Sequence, residues 1–210
     1  MVRVLIADDH AVVREGLKRI VAQNADMAVV GEAGTGHEVL SFVRAHDCDL
    51  VLLDLSMPGK DGLETLKELK ILRPQLPVLV LSVYPEEQYA VRLLRAGASG
   101  YLTKDSAPEE LVAAIRKVSR HGRYVSATLA ERLASLIESP DDRPPHERLS
   151  DREYRVMILM ASGRTASEVA DSLCLSVKTV STYRARALQK LGMRTNAEFA
   201  FYAMKQGLLG

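Results

Sequence analysis

Cysteine is scarce in this sequence, since its 210 residues include only Cys48 and Cys174. The two lie far apart, and neither belongs to a CxxC pair or a Cys/His cluster. This spacing argues against a disulfide framework and against a structural zinc site. We therefore expect two reduced, partly buried thiols.

Long apolar segments are missing as well. No unbroken apolar run approaches the roughly 20 residues that span a bilayer. The first residues also lack the cationic start and small-residue cleavage site of a secretory signal peptide. The hydrophobic fraction of 47% and the charged fraction of 26% are ordinary for a globular protein. The sequence predicts a cytoplasmic protein with no membrane partner.

The net charge of +1 conceals an asymmetry between the two ends of the chain. Residues 148–210 carry ten Lys/Arg against five Asp/Glu, whereas residues 1–147 carry eighteen against twenty-two. A basic segment favours a polyanion such as nucleic acid, and an acidic one favours cations. The length favours two domains, which we place at 1–121 and 147–210. The linker between them, 122–146, contains a predicted helix and a polar, proline-rich stretch.

Short apolar runs alternate with helix-period segments in the first domain. The predicted strands are Val2–Ala7, Met27–Ala33, Asp49–Leu55, Pro77–Ser82 and Gly100–Thr103. The predicted helices lie near 11–23, 36–46, 62–72, 86–96 and 108–120. This alternation predicts an α/β fold with a doubly wound, five-stranded parallel sheet. The second domain shows no strand pattern, and helices near 151–161, 166–173, 177–191 and 196–206 predict a smaller all-α domain.

Polar residues follow the predicted strands at their carboxyl ends, where open parallel sheets bind ligands. Asp8 and Asp9 follow the first strand, Asp54 follows the third, Ser82 ends the fourth, and Lys104 follows the fifth. Three converging carboxylates repel each other unless a cation neutralises them, and their oxygens suit Mg²⁺. The pattern predicts that Asp54 attacks phosphorus while Lys104 and Ser82 hold the phosphoryl oxygens. Each residue alone is more typical of a helix cap or a solvated surface.

The segments around these residues resemble the receiver domain of two-component response regulators. They are Leu5-Ile6-Ala7-Asp8-Asp9-His10, Leu53-Asp54-Leu55-Ser56-Met57-Pro58-Gly59, Val80-Leu81-Ser82 and Gly100-Tyr101-Leu102-Thr103-Lys104. The resemblance implies that Asp54 is the phosphoacceptor. It also implies that Asp9, Asp54 and the backbone carbonyl of Ser56 ligate Mg²⁺, with Asp8 assisting.

The same resemblance makes Ser82 and Tyr101 a switch pair. In this interpretation the hydroxyl of Ser82 turns toward the phosphoryl group and the ring of Tyr101 moves inward. A half-buried strand aromatic with no switching role is the alternative for Tyr101.

Residues 165–191 show the pattern of two helices around a tight turn, with Ser176 as the N-cap of the second helix. The predicted apolar stripe of that helix consists of Val177, Val180, Ala187, Leu188 and Leu191. Five basic residues and no acidic one lie between Cys174 and Arg194. Charge alone is equally typical of a solvated helix face.

The whole second domain resembles the LuxR-type DNA-binding domain. The matching segments are Leu149-Ser150-Asp151-Arg152-Glu153, Ala161 to Ala170, Leu175 to Tyr183 and Leu188 to Met193. The resemblance implies that the second helix enters the major groove, with Ser181, Thr182 and Ala185 facing base edges. Residues nearer the phosphates would be Lys178, Thr179, Tyr183, Arg184 and Arg186. Short side chains at the base-facing positions cannot make bidentate base contacts, so phosphates should carry much of the affinity.

Together the two halves resemble a response regulator of the NarL/LuxR type. The implied partners are a sensor histidine kinase, double-stranded operator DNA and a second copy of the chain after phosphorylation, with RNA polymerase as a further candidate. Such a protein takes part in its own phosphoryl transfer and autodephosphorylation but does not turn over an external substrate.

Two other classes stay open at this point. A metal-dependent phosphatase would also group carboxylates at a sheet edge, although it usually has an Asp where Ser56 stands. The other class is a DNA-binding regulator that works without phosphorylation and has a purely structural receiver domain.

Overall fold

A computed structural model describes residues 1–58, 60, 62–138 and 144–209 of the chain. Gly59 of the Asp54 segment and linker residues 139–143 lie outside the described residues. Contacts divide the chain into two compact units, Met1–Ala130 and Glu131–Gly210. The domain boundaries drawn from the sequence stay predictions.

The first unit is built on an all-parallel sheet, as the sequence predicts. Its strands are β1 (Val2–Ala7), β2 (Met27–Ala33), β3 (Leu50–Asp54), β4 (Val78–Ser82) and β5 (Gly100–Thr103), in the order β2-β1-β3-β4-β5. Every residue of β3 and β4 is buried, as in central strands of a parallel sheet covered on both faces. Strand β3 begins one residue later than predicted, at Leu50. The Oδ1 atom of Asp49, just before the strand, lies 2.9 Å from Arg3 Nη2.

Five of the described helices lie in the first unit with this sheet. They are α1 (Ala11–Ala22), α2 (Gly36–Ala45), α3 (Gly62–Leu72), α4 (Glu86–Arg95) and α5 (Pro108–Ser119). A further helix, α6 (Ala127–Glu138), begins in the first unit and ends in the second. Helix α5 illustrates why these segments are helical. Proline is favoured at its first position, because the N–H group that proline lacks would have no partner within the helix there. Its apolar residues, such as Leu111 and Ile115, recur at helical spacing and are buried in the core with Val4, Ile6 and Leu52.

The parallel register decides which residues meet at the carboxyl edge of the sheet. Ala7 pairs with Leu53, so Asp8 and Asp54 follow side by side. On the other side of β3, Asp54 pairs with Leu81. Ser82 pairs in turn with Thr103, which places Lys104 at the same edge. Residues about fifty positions apart in the sequence thus share one end of the sheet.

The second unit is helical. After a 3₁₀ helix (Pro145–Arg148), which the sequence pattern did not predict, come α7 (Asp151–Ala161), α8 (Ala166–Leu173), α9 (Val177–Leu191) and α10 (Asn196–Lys205). Helices α7, α8 and α10 each begin with a capping box, formed by Ser150 with Glu153, Thr165 with Glu168, and Thr195 with Glu198. Each box satisfies backbone N–H groups that the first helical turn leaves free.

The centre of this unit is α7, which contacts α8, α9 and α10. Its residues Val156, Met157 and Ile158 are all buried. Among the described residues, no helix combines the length and the apolar character that a bilayer crossing requires.

Candidate functional site

The carboxyl edge of the sheet holds a compact charged cluster. Lys104 Nζ lies 2.6 Å from Asp8 Oδ2 and 3.1 Å from Asp54 Oδ2. Asp8 and Asp54 are 1% and 2% exposed. The structure therefore brings together three of the residues that the sequence selected for this edge.

The charges in this cluster do not balance. Burial raises the pKa of Asp54 above its usual value; Lys104 opposes this shift and the charge of Asp8 reinforces it. Burial alone would lower the pKa of Lys104, but the two carboxylates outweigh it and the pKa is raised. Apart from the ion pairing with Lys104, Asp8 Oδ2 and both carboxylate oxygens of Asp54 have no well-formed hydrogen bond from the described residues, although the backbone N–H of Ser56 lies close enough to lower the pKa of Asp54. Two ionised carboxylates would thus share one ammonium group, and unsatisfied buried oxygens of this kind suit a hard cation.

Asp9 and His10 lie at the exposed mouth of the cluster. Their side chains are 28% and 66% exposed, and His10 Nδ1 lies 2.8 Å from Asp9 Oδ1. One ligating atom from each of Asp8, Asp9, His10 and Asp54 can be chosen so that all four lie within 4.8 Å of one another. The sequence pattern predicted no role for His10, although its position directly after Asp9 was a signal.

The backbone around Asp8 is held in place by two contacts. Arg14 Nη1 donates to the carbonyl oxygen of Asp8 at 2.7 Å, and the backbone N–H of His10 donates to Asp8 Oδ1 at 2.8 Å. Two residues beyond Asp54, Ser56 has a buried hydroxyl with no hydrogen-bond partner among the described residues.

The predicted switch residues Ser82 and Tyr101 both contact the backbone of Tyr84. Ser82 Oγ accepts from the Tyr84 N–H at 3.0 Å, and the Tyr101 hydroxyl donates to the Tyr84 carbonyl at 2.7 Å. Ser82 is fully buried and Tyr101 is 2% exposed. The ring of Tyr101 therefore lies inward, and Tyr84 is a connecting residue that the sequence did not reveal.

In the second unit, α8 and α9 are joined by a three-residue turn. Cys174 ends α8 in the left-handed conformation, with φ of 52°. Ser176 then caps α9 by accepting from the Thr179 N–H at 3.1 Å. Cys174 is exposed and Cys48 is buried, and both are free thiols. The expectation of partial burial was wrong for Cys174, which follows the last buried residue of α8, Leu173.

Helix α9 has a buried face and an exposed basic face. Val180, Ala187 and Leu188 are buried, but Val177 is 46% exposed. The predicted apolar stripe was wrong at Val177, the first residue of α9, where burial begins only one turn later at Val180. The predicted DNA-facing residues divide into exposed ones, Lys178, Ser181, Thr182, Ala185 and Arg186, and half-buried ones, Thr179, Tyr183 and Arg184.

The basic side chains of α9 differ in their partners. Lys190 Nζ lies 2.6 Å from Oε2 of the buried Glu153, so its charge is offset within the second unit. Arg184 Nε donates to Asn196 Oδ1 at 2.6 Å. Within the described parts of the chain, Lys178 and Arg186 form no ion pair.

Both units match known families. The response regulator receiver domain matches residues 4–116, and the luxR family of bacterial regulatory proteins matches residues 147–203. The chain belongs to the response regulators with a LuxR-type DNA-binding domain. Members of this family are transcription regulators of two-component systems and not typical substrate-turnover enzymes, so the phosphatase alternative no longer applies.

Relatives of the response regulator extend over its whole length. The response regulator GacA of Pseudomonas aeruginosa is 39% identical over 210 residues, which cover 100% of this chain and 98% of GacA. RcsB from Salmonella enterica serovar Typhimurium, bound to the promoter P1flhDC with phosphomimetic BeF3-, has a TM-score of 0.66 at 28% identity, covering 97% of this chain and 98% of RcsB. A structure of two RcsB dimers bound to two parallel DNAs has a TM-score of 0.59 with the same identity and coverage.

Proposed function

We propose that this response regulator accepts a phosphoryl group on Asp54 from a sensor histidine kinase, and that the modification changes its dimerisation and its binding to operator DNA. The main support is the pair of buried carboxylates, Asp8 and Asp54, for which Lys104 is the one shared cationic partner among the residues that the structure describes. A pocket with this excess of negative charge favours the binding of a cation. The bound cation would in turn favour the binding of an anionic phosphoryl group.

Four groups would hold Mg²⁺ at this edge: the carboxylates of Asp8, Asp9 and Asp54 and the backbone carbonyl of Ser56. The unsatisfied oxygens of Asp8 and Asp54 fit an all-oxygen site. When bound, the ion would offset the negative charge that the phosphoryl group adds beside Asp54.

The remaining pocket residues would bind the phosphoryl oxygens. Lys104 already lies beside Asp54 and can pair with an oxygen of the new group. Ser82 Oγ accepts from the Tyr84 N–H, so its own hydroxyl proton is available to donate. That donation would change the contact with Tyr84, whose carbonyl also accepts from the switch residue Tyr101. Water reaching the acyl phosphate would reverse the modification by autodephosphorylation.

The DNA-binding part of the proposal places α9 in the major groove. Its base-facing residues would be Ser181, Thr182 and Ala185, and its phosphate-facing residues would be Lys178, Thr179, Tyr183, Arg184 and Arg186. Because the base-facing side chains are short, most of the affinity for DNA would come from phosphate contacts and from the spacing of two half-sites. The RcsB dimers on DNA support a homodimer, while a cytoplasmic location and contact with RNA polymerase stay predictions.

Intact-mass spectrometry tests the input step. The chain incubated with acetyl phosphate and Mg²⁺ should gain the mass of one phosphoryl group, and Asp54→Asn should abolish the gain. The matched control is Asp47→Asn, which removes an exposed carboxylate just before the other end of the same strand and should leave the gain unchanged.

The response of DNA binding to the phosphodonor tests the output step. Wild type should bind a selected palindromic duplex more tightly after treatment, and Asp54→Asn should bind equally with and without it. An unmodified wild-type chain whose DNA binding ignores the phosphodonor would favour the phosphorylation-independent regulator instead. A full response in Asp54→Asn would rule out Asp54 as the acceptor that controls binding.

A further inference from the structure

The contact between Arg184 and Asn196 joins two helices through one side-chain pair. Arg184 lies on the half-buried border of α9, and Asn196 is the first residue of α10. The Nε of Arg184 donates to Asn196 Oδ1 at 2.6 Å. No other described residue forms a hydrogen bond or ion pair with this guanidinium group.

The partner of Arg184 is neutral, and this distinguishes it from Lys190 on the same helix. Lys190 meets the carboxylate of Glu153 at 2.6 Å, which offsets its charge. The amide of Asn196 fixes the orientation of Arg184 but leaves its full positive charge in place. The two terminal nitrogens of Arg184 keep their four N–H donors, in the fork geometry that matches phosphate oxygens.

A carboxylate lies beside the backbone that leads into α10. Glu198 Oε2 accepts from the backbone N–H groups of Arg194 and Thr195, so a carboxylate already occupies these donors. These two backbone N–H groups are therefore unavailable to a phosphate, whereas the terminal N–H groups of Arg184 stay available.

From this geometry, and resting on the proposed DNA-binding function, we propose that Asn196 is a positioning residue for DNA binding. It orients the guanidinium group of Arg184 toward a backbone phosphate while leaving the arginine charge unpaired. DNA affinity then depends on the neutrality of residue 196 as well as on its hydrogen bond.

Asn196→Asp is the decisive variant, because it keeps the oxygen acceptor and adds one negative charge. An acidic residue in the first turn of a helix is favourable, so the unfolding temperature should not fall. DNA binding should weaken about tenfold at moderate salt, since the new charge neutralises Arg184. The slope of log K against log salt should become shallower by about 1 for each bound subunit.

Asn196→Ala separates orientation from charge. Removing the acceptor should weaken DNA binding about threefold, because the guanidinium group loses its fixed position. The salt slope should stay at the wild-type value, because the charge of Arg184 remains. Adding Arg184→Gln to Asn196→Asp should cause little further loss.

These measurements use the full chain with a selected duplex and with random-sequence duplex DNA at several salt concentrations. Gln206→Glu is the matched control, since it adds the same charge just beyond the far end of α10 and should change the slope less. A stable Asn196→Asp variant that binds with wild-type affinity and slope would overturn the positioning role. Failure of the wild-type chain to bind any DNA would overturn the DNA-binding function itself, so the two failures are distinguishable.

Discussion

At the scale of single residues, the loop after Asp54 leaves no room for a side chain at Gly62. A Cβ built on Gly62 would lie 2.4 Å from the carbonyl oxygen of Asp54 and 2.6 Å from the Cα of Leu55. Both neighbours are backbone atoms, so a flexible side chain cannot relieve the overlap. The close approach fixes the start of α3 directly beneath the proposed phosphoacceptor.

Gly62→Ala should therefore destabilise the first unit by about 1–3 kcal/mol through overpacking. Urea denaturation followed by circular dichroism would measure the loss. Gly16→Ala is the control, because a Cβ on Gly16 in α1 meets nothing within 4 Å. That change should stabilise the protein by about 0.5–1 kcal/mol. Equal effects of the two changes would contradict the steric explanation.

Single residues also show what the sequence could and could not predict. The sequence predicted that Asp8, Asp54 and Lys104 converge, because each follows the carboxyl end of a predicted strand. In a parallel sheet these ends meet at one edge. The contact of Arg184 with Asn196 had no such signal. It depends on how α10 packs in the unit, and no periodicity along either helix encodes that placement.

At the scale of elements, the start of α7 depends on a buried acid. Glu153 is 3% exposed, accepts from the Ser150 N–H at 2.8 Å, and pairs with Lys190. Burial alone would raise the pKa of Glu153, but Lys190 and the Ser150 donors hold the pKa below its usual value. The acid thus ties the cap of α7 to the last turn of α9.

Glu153→Gln should destabilise the second unit by about 1–2 kcal/mol at neutral pH. The folded pKa lies below the unfolded one, so this stabilisation is complete above about pH 4.3 and is lost as the pH falls through the folded pKa. Urea unfolding at several pH values would show the difference from wild type shrinking in acid. Glu168→Gln, in the exposed capping box of α8, should cost less, and a pH-independent difference for Glu153→Gln would contradict the assignment.

Most helix and strand bounds followed from the sequence because apolar periodicity and capping residues coincide, as at Thr165 and Ser176. The sequence-based predictions were wrong where tertiary packing determines burial and local structure. Val177 continues the apolar period of α9 yet is 46% exposed. The 3₁₀ helix at Pro145–Arg148 begins at the end of a proline-rich stretch that the sequence pattern assigned to the linker.

At the scale of the whole molecule, the uneven charge predicts the salt dependence of DNA binding. The proposed contacts are dominated by phosphates, and each one releases counterions on binding. Affinity should fall at least about a hundredfold between ~50 mM and ~200 mM salt. Fluorescence anisotropy with labelled duplex would measure it, and Lys178→Gln should reduce the slope more than Lys205→Gln at the end of α10. Binding that hardly changes with salt would contradict the phosphate-dominated interface.

The order of the charged cluster along the chain has a consequence for synthesis on the ribosome. Asp8 and Asp54 emerge early, but their cationic partner Lys104 follows only after β5. A nascent chain that ends before Lys104 lacks this ammonium group, so we expect the contacts at the carboxyl edge of the sheet to be complete only after β5 has paired with β4. Helix α9 is translated later still. The pocket of Asp8, Asp54 and Lys104 can therefore be complete before the proposed DNA-binding helix has been synthesised.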